Sequence, residues 1–504
     1  MADKMRREVA RKQCFKTVKP LRFHARKILT PFPLIMLAGC SFAPEHSIVD
    51  MPVPRAFPLQ DHQSAEAVKT TAARIEWQQF FTDPQLHKLI AEALVYNRDV
   101  QIAAGRVAEA RGLYQIQGSA LYPQVNGVVR GTRARAPADL SVTGGAVTGS
   151  EYSSALSAGW EIDFWGRLQN LRAAALSQYL ATVEARRAVA TSLIAQVANS
   201  YLIAGEYEER IALATRSVET REESLRILRR RYEVGSGSKL EMTQAQTLLA
   251  QARTANAALQ LERDVNLNAL ALLVGHPVDM TTKDIRLTNP LGEANVPVGL
   301  SSDLLVWRPD IIAAEYRLRA ANANIGAARA AFFPNISLTG SVGTASAELD
   351  GLFKGGSLSW SFAPSISLPL FNGGRNKANL DLSRARKVVA IADYERTIQQ
   401  AFRDVSDAMV QRRQFAAQIV TMQDMLDALT ERARLADMLF TNGRSTYLEV
   451  LDAQRDLFDT EQRLVQLRRA HYASGVALYT ALGGGFAGQF PLANETVTNM
   501  EVAQ

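Results

Sequence analysis

The stretch RRYEVGSGSKLEMTQAQ at residues 230–246 has a counterpart in DMLFTNGRSTYLEVLDAQ at residues 437–454. An offset of 208 residues aligns Gly235 with Gly443, Leu240 with Leu448 and Ala245-Gln246 with Ala453-Gln454. Further upstream the offset is 211 residues, which aligns Asp99 with Asp310 and Pro123 with Pro334. A register held over about 180 residues is not a chance similarity, so the chain is internally duplicated.

Each half of the duplication has the same predicted order of elements: a helix, two strands and two long helices. The first helix is predicted at residues 99–120 and 310–331, where Pro123 and Pro334 stop it. Residues 168–234 contain no proline, and a helix of that length reaches about 100 Å at ~1.5 Å per residue. Apolar residues at heptad a and d positions of the last helix predict a coiled-coil seam. They are Val450, Ala453, Leu457, Thr460, Leu464, Leu467 and Leu478.

The predicted strands alternate between apolar and small polar residues. The apolar positions are Tyr152, Leu156, Trp160, Ile162 and Phe164 in the first half, and Ile336, Leu338, Val342, Leu358, Trp360, Phe362, Ile366, Leu368 and Leu370 in the second. An apolar face opposite a small polar face favours a transmembrane barrel with a wet lumen over a soluble sheet. Four strands cannot close a barrel, since known barrels need about eight or more, so a barrel must contain several copies of the chain.

Two glycine-containing segments interrupt the long helices at matching places. They are Gly235-Ser236-Gly237-Ser238 and Asn442-Gly443-Arg444-Ser445. Both predict tight helix–helix turns, because glycine supplies the left-handed backbone at which helices end. We expect the two turns to lie at the same end of the molecule, far from the strands.

The positive charge of the chain is concentrated before Cys40. Ten basic and two acidic residues lie there, so the formal net charge of +7 falls to −1 for the remainder. The remainder therefore has no electrostatic reason to bind nucleic acid. After this basic segment comes a short apolar run at residues 28–37 with small residues behind it, the pattern of a secretion signal. No later stretch reaches the ~18 continuous apolar residues of a transmembrane helix, so any membrane role must come from lipid or from strands.

The segment Leu37-Ala38-Gly39-Cys40 resembles the lipobox of bacterial lipoproteins. This resemblance implies that residues 1–39 are a lipoprotein signal peptide and that Cys40 carries a covalent lipid. Ser41 follows where an Asp would imply retention at the inner membrane, so outer-membrane delivery is expected. The predicted domains are then an N-terminal anchor and equatorial segment at residues 40–96, a first repeat at 97–290 with barrel strands in 122–166, a second repeat at 291–485 with barrel strands in 334–371, and a C-terminal tail at 486–504.

The sequence contains no arrangement typical of an enzyme. The six histidines are scattered, at His24, His46, His62, His87, His276 and His471. Zinc-ligand spacing, a phosphate-binding loop and a nucleophile elbow are all absent from the sequence. We therefore predict no catalytic residues, no metal and no cofactor apart from the lipid on Cys40. A periplasmic enzyme and a structural coiled-coil lipoprotein are the alternatives from other classes, and the serine-alternating strands argue against the second.

Several motifs after Cys40 resemble the TolC-like outer membrane factor family, in the NodT-type lipoprotein branch that partners resistance-nodulation-division efflux pumps. The motifs are Trp77-Gln-Gln-Phe80, Asp83-Pro84-Gln85-Leu86, Arg308-Pro309-Asp310-Ile311 with Ala314-Glu315, Ile325-Gly326, Phe333-Pro334 and Tyr447-Leu448-Glu449-Val450-Leu451-Asp452-Ala453-Gln454. The resemblance implies an α+β membrane protein that is a homotrimer. It further implies a 12-stranded transmembrane β-barrel with four strands per protomer, continued by a long α-helical coiled-coil barrel in the periplasm.

The resemblance also implies where a periplasmic gate lies, just past the second turn. Leu448 corresponds to an apolar constriction, Asp452 to an acidic ring and Arg455 to the basic partner of that ring, while Glu449 occupies another acidic position of the aperture. From the residues alone, Asp452 and Arg455 are equally a solvated i, i+3 pair on a helix. Gln244, the first-half equivalent of Asp452, carries no charge.

The implied function is a passive outer-membrane duct that exports small toxic solutes or drugs. An inner-membrane pump and a periplasmic adaptor are the implied partners, and the adaptor is expected to contact Gly235, Gly237, Gly443 and Arg444. The exit duct of a type I protein secretion system has the same architecture and stays open as the alternative. Localisation is expected at the outer membrane, with the lipid anchor in that membrane and the helices in the periplasm.

Overall fold

The computed structural model of the chain describes residues 42–44, 52–54, 75–141, 144–278, 287 and 304–484. All of these belong to one structural unit, residues 39–504. Cys40, the predicted signal peptide at residues 1–39 and the predicted tail at residues 486–504 lie outside the described residues, so those predictions have no structural counterpart here.

The first repeat begins after two short entry helices. The entry helices are α1 (Trp77–Phe80) and α2 (Pro84–Tyr96). The described elements of the first repeat are α3 (Arg98–Ser119), β1 (Gln124–Ala136), β2 (Val147–Ile162), α4 (Arg167–Glu233) and α5 (Lys239–Val274). Asp83 starts α2 by accepting hydrogen bonds from the amides of Gln85 and Leu86, and Asn97 starts α3 in the same way. Both residues satisfy amide groups that a helix leaves free at its first turn.

The second repeat has the same order of long elements. They are α6 (Leu304–Trp307), α7 (Pro309–Ala330), β3 (Asn335–Ser346), β4 (Leu358–Ser367), α8 (Arg375–Thr441) and α9 (Tyr447–Ala481). The predicted first helices, at 99–120 and 310–331, are each displaced by one residue from those observed. Helices α4 and α8 are both 67 residues long, the length predicted from the proline-free run.

Two strands end earlier than the alternating pattern predicts. Phe164 lies beyond β2, because the carboxylate of Asp163 accepts a hydrogen bond from the amide of Gln169 and so begins the turn into α4. Leu368 and Leu370 lie beyond β4. Proline at position 369 has no amide hydrogen with which to continue a ladder, so the alternation outlasts the pairing there.

The four strands form one antiparallel sheet in the order β1-β2-β3-β4. Ile162 pairs with Ile336 at the end of the sheet nearest the helices, and Tyr152 pairs with Ser346 towards the other end. Strands β1 and β4 are the outer strands, and within the described residues each has a hydrogen-bonding partner on one side only.

The register gives the sheet two chemically different faces, because paired residues of antiparallel strands point to the same side. The apolar face contains Val125, Val129, Tyr152, Leu156, Trp160, Ile162, Ile336, Leu338, Val342, Leu358, Trp360, Phe362 and Ile366. The serine face contains Ser153, Ser157, Ser337, Ser341, Ser359, Ser361 and Ser365. On the serine face the hydroxyls of Ser337 and Ser365 lie 2.7 Å apart, and those of Ser341 and Ser361 2.8 Å apart.

Two glycines show that the repeats are structurally equivalent. Gly275 and Gly483, related by the offset of 208, have φ angles of +93° and +83°. A Cβ atom on Gly275 would lie 2.5 Å from the carbonyl oxygen of Tyr96, and one on Gly483 would lie 3.1 Å from Trp307. Tyr96 and Trp307 are themselves related by the offset of 211. In both halves, the glycine at the end of the last helix therefore packs against the last residue of the short helix that precedes the repeat's first helix.

The main hydrophobic core joins the entry helices to the long helices. Phe80 stacks on Tyr479 with 3.8 Å between ring centroids, and Trp77 and Phe81 complete a buried aromatic cluster. Within the described part of the chain, only α4 has the length and composition of a membrane span. Of the 18-residue apolar segment of α4 that meets this description, 56% is buried inside the protein. Such burial is typical of a core helix.

Candidate functional site

The two helix–helix turns have the same backbone hydrogen bonds. In the first turn the amide of Gly235 donates to the carbonyl of Tyr232, and that of Ser236 donates to the carbonyl of Arg231. In the second turn Gly443 donates to Phe440 and Arg444 donates to Leu439, at distances of 3.0 and 2.8 Å. Gly235 and Gly443 have φ angles of +78° and +70°, the left-handed conformation that ends a helix.

The turns lie at the same end of the protein, as predicted from the sequence. A hydrophobic cluster beneath them combines residues from the ends of α4 and α8 with residues from the starts of α5 and α9. Its buried members are Leu225, Leu228, Ala245, Leu249, Ala436, Tyr447, Val450, Leu451 and Ala453. Across the two turns, the guanidinium of Arg231 lies 4.9 Å from the ring centroid of Phe440.

The predicted adaptor-contacting residues are all in these turns, but their exposure differs. Gly235, Gly443 and Arg444 are exposed. Gly237 is half-buried, and a Cβ atom there would lie 2.9 Å from the Cβ of Arg231. Gly237 therefore serves the packing of the turn, whereas the other three residues present their surface to solvent.

Three of the four predicted gate residues lie together on α9. Leu448, Asp452 and Arg455 follow one another at helical spacing, and all three line an open groove of about 310 Å³ between α5 and α9. Leu448 is 52% exposed even though it is apolar. Glu449 is exposed but does not line the groove, so the structure separates it from the other three.

The groove brings the two halves of the duplication face to face. Leu240 and Gln244 of α5 line one side, opposite Leu448 and Asp452 of α9. These are the residue pairs that the offset of 208 aligns. The groove is asymmetric in charge, since Asp452 is the only carboxylate among its lining residues and its counterpart Gln244 is neutral.

Arg455 has two acidic partners. Its guanidinium lies 3.3 Å from Asp452 and 3.1 Å from Asp456, and Arg432 of α8 lies 2.8 Å from the other oxygen of Asp456. Hydrogen bonds from Arg432 and Arg455 hold the pKa of Asp456 below its ordinary value. The hydrogen bond to Asp456, followed by the charge of Asp452, raises the pKa of Arg455.

Asp456 and Arg432 were not among the residues predicted from the sequence. Asp456 could have been found, because it adjoins Arg455 on the same helix. Arg432 lies 24 residues before Asp456 and on another helix, so only the register between α8 and α9 reveals this pair.

Tyr447 fixes the start of α9 in the protein interior. Its side chain is 4% exposed and belongs to the cluster beneath the turns. Burial raises the pKa of Tyr447, with a hydrogen bond to Ser224 of α4 as an opposing influence. The first turn of α9 is thus held by α4, while the next turns carry the groove residues.

A buried ionic network joins α9 to α4 further along its length. Glu206 is 5% exposed, and its two oxygens lie 2.9 Å from Arg210 and 2.8 Å from Arg469. Arg210 also donates to the side chain of Gln462 at 2.7 Å, and Gln462 donates back to the carbonyl of Arg210. Glu206 and Arg210 lie on α4, and Arg469 and Gln462 lie on α9, so the network couples the two helices.

The sequence motifs around Asp83 and Arg308 connect the short helices to the long ones. The carboxylate of Asp83 accepts a hydrogen bond of 2.7 Å from the hydroxyl of Tyr201 on α4. Arg308 contacts Asp310 at 2.8 Å and Asp404 of α8 at 3.2 Å, and it donates to the carbonyl of Ala481 at the end of α9. These motif residues therefore connect the short helices to the long helices α4, α8 and α9.

An aromatic cluster marks the junction between strands and helices. Phe42 stacks on Phe333 with 4.9 Å between ring centroids, and Phe333 stacks on Trp165 at 4.8 Å. Arg329 donates a hydrogen bond of 3.0 Å to the carbonyl of Phe42. A Cβ atom on Gly326 would lie 2.8 Å from the amide nitrogen of Ala43, so this glycine allows the N-terminal segment to dock on α7.

The described residues contain no cluster of three or more histidine, cysteine or acidic side chains suited to a metal ion. The functional geometry of the described part of the chain therefore consists of surfaces, a groove and ion pairs.

The family model described as outer membrane efflux protein matches residues 89–276 and 300–484. The two matched segments begin 211 residues apart and end 208 residues apart, the same two offsets found within the sequence. The duplicated unit is thus the unit that the family model describes.

Similar proteins are named as outer membrane components of efflux systems. Toluene efflux pump outer membrane protein TtgF of Pseudomonas putida is 42% identical over 460 residues, covering 90% of this chain and 95% of the relative. Cation efflux system protein CusC of Escherichia coli is 40% identical over 458 residues, covering 91% of this chain and 99% of the relative.

Solved structures with the same fold include a membrane protein from Pseudomonas aeruginosa, with a TM-score of 0.81, 38% identity and coverage of 88% of this chain and 100% of that one. The open state of the MtrE outer membrane channel of Neisseria gonorrhoeae has a TM-score of 0.80 and 37% identity, covering 88% of this chain and 98% of the channel. These likenesses confirm the predicted fold class and the predicted efflux function. The chain therefore belongs to the outer membrane efflux protein family.

Proposed function

We propose that this chain is the lipid-anchored exit duct of a tripartite efflux system. Three copies form one 12-stranded barrel in the outer membrane and one helical tunnel in the periplasm. A periplasmic adaptor meets the turns at the far end, and an inner-membrane pump of the resistance-nodulation-division type supplies the energy. The duct itself is passive and exports small toxic solutes or drugs.

As a member of its family the chain is an outer-membrane efflux channel subunit and not an enzyme. TtgF is named for toluene and CusC for cations. These names support export of small solutes, rather than the export of proteins by a type I secretion system.

The apolar face of the sheet is the observation that carries this proposal. Trp360, Phe362 and Ile366 are 74, 64 and 72% exposed in the single chain. A contiguous aromatic and aliphatic surface of this kind needs an apolar environment. The opposite face consists of small hydroxyl side chains, which suit a water-filled lumen. Hydrocarbon outside and water inside is the arrangement expected of a barrel wall.

The open edges of the sheet support assembly from three copies. Strands β1 and β4 each have an outer row of amide and carbonyl groups without a strand partner in the described chain. Such groups are costly inside a membrane, where no water can satisfy them. Pairing β1 of one copy with β4 of the next satisfies both rows, and three copies supply the strands that a closed barrel requires.

Asp452 is proposed as the latch of the gate. Three-fold symmetry turns one carboxylate into a ring of three, which attracts cations and repels anions. Arg455 lies 3.3 Å from Asp452 and so holds the ring by charge pairing. Leu448, exposed beside it, supplies the apolar constriction. Gln244 on α5 adds no charge, so only α9 of each protomer carries the latch.

The adaptor is proposed to bind the exposed parts of the two turns, at Gly235, Gly443 and Arg444. The turns share their backbone geometry and lie at one end of the protein, so one adaptor surface can bind either turn. Arg444 occupies the position of Ser236 in the first turn, and it would therefore distinguish the two by charge.

Lipidation of Cys40 is proposed as the membrane anchor. Phe42, two residues later, is held against Phe333 and Trp165 at the strand–helix junction. Two residues of chain span at most about 7 Å, so a lipid on Cys40 would begin close to this junction. Aromatic side chains are enriched at the level of lipid head groups, which fits the insertion of an acyl chain there.

Single-channel conductance of the purified mature protein in planar bilayers tests the proposal, with Asp452→Ala measured beside it. We expect a small, gated, cation-favouring conductance that increases in the variant. A folded trimer whose conductance does not change in Asp452→Ala would remove Asp452 as the latch. A folded protein that stays monomeric and never enters the bilayer would contradict the barrel itself.

A further inference from the structure

The end of the sheet farthest from the helices forms a rim with unusual charge. Strand β1 leaves α3 at Gln124 and β2 enters α4 after Ile162, so these residues lie at the helical end. The other ends of both strands, at Ala136 and Val147, form what we call the outer rim. Strand β1 carries three arginines towards this rim, at positions 130, 133 and 135.

The register places two of these arginines on the apolar face. Arg133 pairs with Ser150 and Arg135 with Thr148, in the same alternation as Tyr152 and Leu156. Arg130 pairs with Ser153, so its side chain belongs to the serine face. One strand thus presents arginine to both sides of the sheet, and Arg130 is an internal control for the other two.

The height of Arg133 and Arg135 matches the edge of a membrane. From Ile162 to Tyr152 the apolar face runs for about ten residues, which at ~3.3 Å per residue and a strand tilt of about 40° spans some 25 Å. That is the height of the apolar band of outer-membrane barrels. Ser150 and Thr148, the partners of the two arginines, lie beyond Tyr152 at the level of the lipid head groups.

The two rim arginines make no ion pair within the described part of the chain. Neither Arg133 nor Arg135 has a carboxylate within 4.0 Å among the described residues. Lys354, in the β3–β4 connection, is already paired with Asp350 at 2.7 Å. Glu151 pairs with Thr132 and so belongs to the serine face. The outward charge of Arg133 and Arg135 is therefore uncompensated by these groups.

The surroundings of Arg133 are those of a membrane interface. The ring of Tyr152 lies over Gly131, at 3.3 Å from where a Cβ atom would be. Tyrosine at this level combines an apolar ring with a polar hydroxyl, as aromatic girdles of barrels do. An arginine on the lipid face costs about 2–4 kcal/mol at the membrane midplane but only about 0–1 kcal/mol near the interface.

We propose that Arg133 and Arg135 bind the phosphate groups of a phosphorylated glycolipid in the outer leaflet, one site on each protomer. The guanidinium group matches phosphate with two parallel hydrogen bonds, which makes arginine well suited to this ligand. Two arginines in alternate positions of one strand can hold one phosphate each or share one. This inference rests on the proposed barrel, because only a barrel turns the apolar face towards lipid.

Native mass spectrometry of the detergent-solubilised mature trimer tests the site. The probes are diphosphorylated lipid A and the same lipid after enzymatic removal of its phosphates. The proteins are the wild type, the double variant Arg133→Gln/Arg135→Gln and the control Arg130→Gln. We expect the double variant to bind the phosphorylated lipid about ten-fold more weakly, as for the loss of a charged hydrogen-bonding group. Arg130→Gln should bind like the wild type.

Comparing the binding of the two lipids to the wild-type protein tests the proposed phosphate site even where a variant fails to assemble. Equal binding of the phosphorylated and the dephosphorylated lipid would overturn the proposal, and so would undiminished binding by an assembled double variant. That second result would mean that the phosphorylated lipid binds elsewhere on the trimer. Trimer mass and bilayer conductance, measured on the same wild-type sample, report separately on the barrel. A conducting trimer without lipid discrimination overturns the lipid site alone.

Discussion

At the scale of single residues, Gly237 shows how a turn excludes every larger side chain. Its backbone does not require glycine by conformation, since its φ angle is not among the positive ones. A Cβ atom would instead meet the Cβ of Arg231 at 2.9 Å and the amide nitrogen of Tyr232 at 3.1 Å. Gly235, by contrast, has open space around it and a φ angle of +78°. The two glycines of one turn are therefore required for different reasons.

We expect Gly237→Ala to destabilise the turn by about 1–3 kcal/mol, because the added methyl group overpacks a fixed contact. Thermal unfolding of the purified protein measures this effect. Gly145→Ala is the control, since nothing lies within 4 Å of a Cβ atom at that loop glycine. Equal melting temperatures of the two variants would contradict the packing argument.

A second residue-scale prediction concerns pH. The pKa of Asp456 is lowered from its ordinary value of 3.8 by Arg432 and Arg455. The stabilisation from these ion pairs is therefore fully present above pH 3.8, and it is lost as the pH falls through the lowered pKa of the folded protein. We expect Arg432→Gln to lower the melting temperature slightly at neutral pH and not at all once Asp456 is protonated.

Arg384→Gln is the matched control for that pH series, because Arg384 has an exposed partner on its own helix, Asp381, at 3.4 Å. Melting temperatures between about pH 7 and pH 2 provide the measurement, because the lowered pKa of Asp456 lies below its ordinary value of 3.8. A difference between Arg432→Gln and wild type that persists undiminished at the acidic end would mean that Arg432 acts through something other than the Asp456 carboxylate.

The gate stays a prediction, but the grouping of three of its residues follows from their spacing in the sequence. Helical spacing alone places Leu448, Asp452 and Arg455 on one side of α9, and the groove contains all three. Glu449 was selected by the same resemblance as the other three, and it is not among the residues that line the groove. The contact between Arg432 and Asp456 depends on how α8 and α9 are aligned, which no local pattern reports. Lipidation of Cys40 stays a prediction.

At the scale of helices, the buried network around Glu206 ties α4 to α9. One carboxylate faces two guanidinium groups there, and the side chain of Arg210 is only 17% exposed. Replacing the carboxylate leaves two partly buried positive charges without a counter-ion, which is far more costly than losing a surface pair. Glu206 is therefore the acidic centre of the ionic contact between α4 and α9.

We expect Glu206→Gln to destabilise the protein by about 3 kcal/mol, at the lower end of the range for breaking a buried ion pair. Urea unfolding of the mature protein measures the loss. Glu223→Gln, which removes an exposed pair with Arg226 on the same helix, is expected to leave stability unchanged. Similar losses in both variants would show that the buried network contributes no more than a surface pair.

Helix boundaries were predictable because proline and glycine determine them. The ends of α3 and α7 predicted from Pro123 and Pro334 lie within one residue of those in the structure. Strand ends were less predictable, since the alternation of Leu368 and Leu370 continues past the last paired residue of β4. Alternation reports which way side chains point, whereas hydrogen bonding to a neighbour determines where a strand stops.

At the scale of the whole molecule, the two faces of the sheet determine which side of the barrel wall meets lipid and which meets water. Trp360 lies on the apolar face and Ser361, the next residue, lies on the serine face. Both are exposed in the single chain, so burial within one protomer does not distinguish them. Only the environment of the assembled barrel does.

We expect Trp360→Arg to impair membrane assembly and Ser361→Arg to be tolerated. An arginine near the midplane of the lipid face costs about 2–4 kcal/mol, whereas a lumen-facing arginine stays in water. The yield of assembled trimers in outer-membrane fractions, compared between the two variants, is the measurement. The opposite order of yields would mean that the serine face, and not the apolar face, meets the lipid.

The strand count predicted that a barrel contains several copies of the chain, and the number three came from the resemblance to the family. Four strands per chain are too few to close a barrel, and the sequence shows this as plainly as the structure. The identity of the neighbouring strand is different, because β1 and β4 meet only between chains. The register between β1 of one chain and β4 of the next therefore cannot be predicted from the residue pattern of a single chain.

The pairing of β2 with β3 joins residues far apart in the chain, as Ile162 lies opposite Ile336. During synthesis the first hairpin is complete long before its partner strand exists, and its aromatic face and open edge have no cover. Contacts between residues so far apart in the chain form slowly. Until they form, the exposed strand edge is free to pair with strands of other chains. The first hairpin of a newly exported chain is therefore prone to aggregation until the second half of the sheet pairs with it.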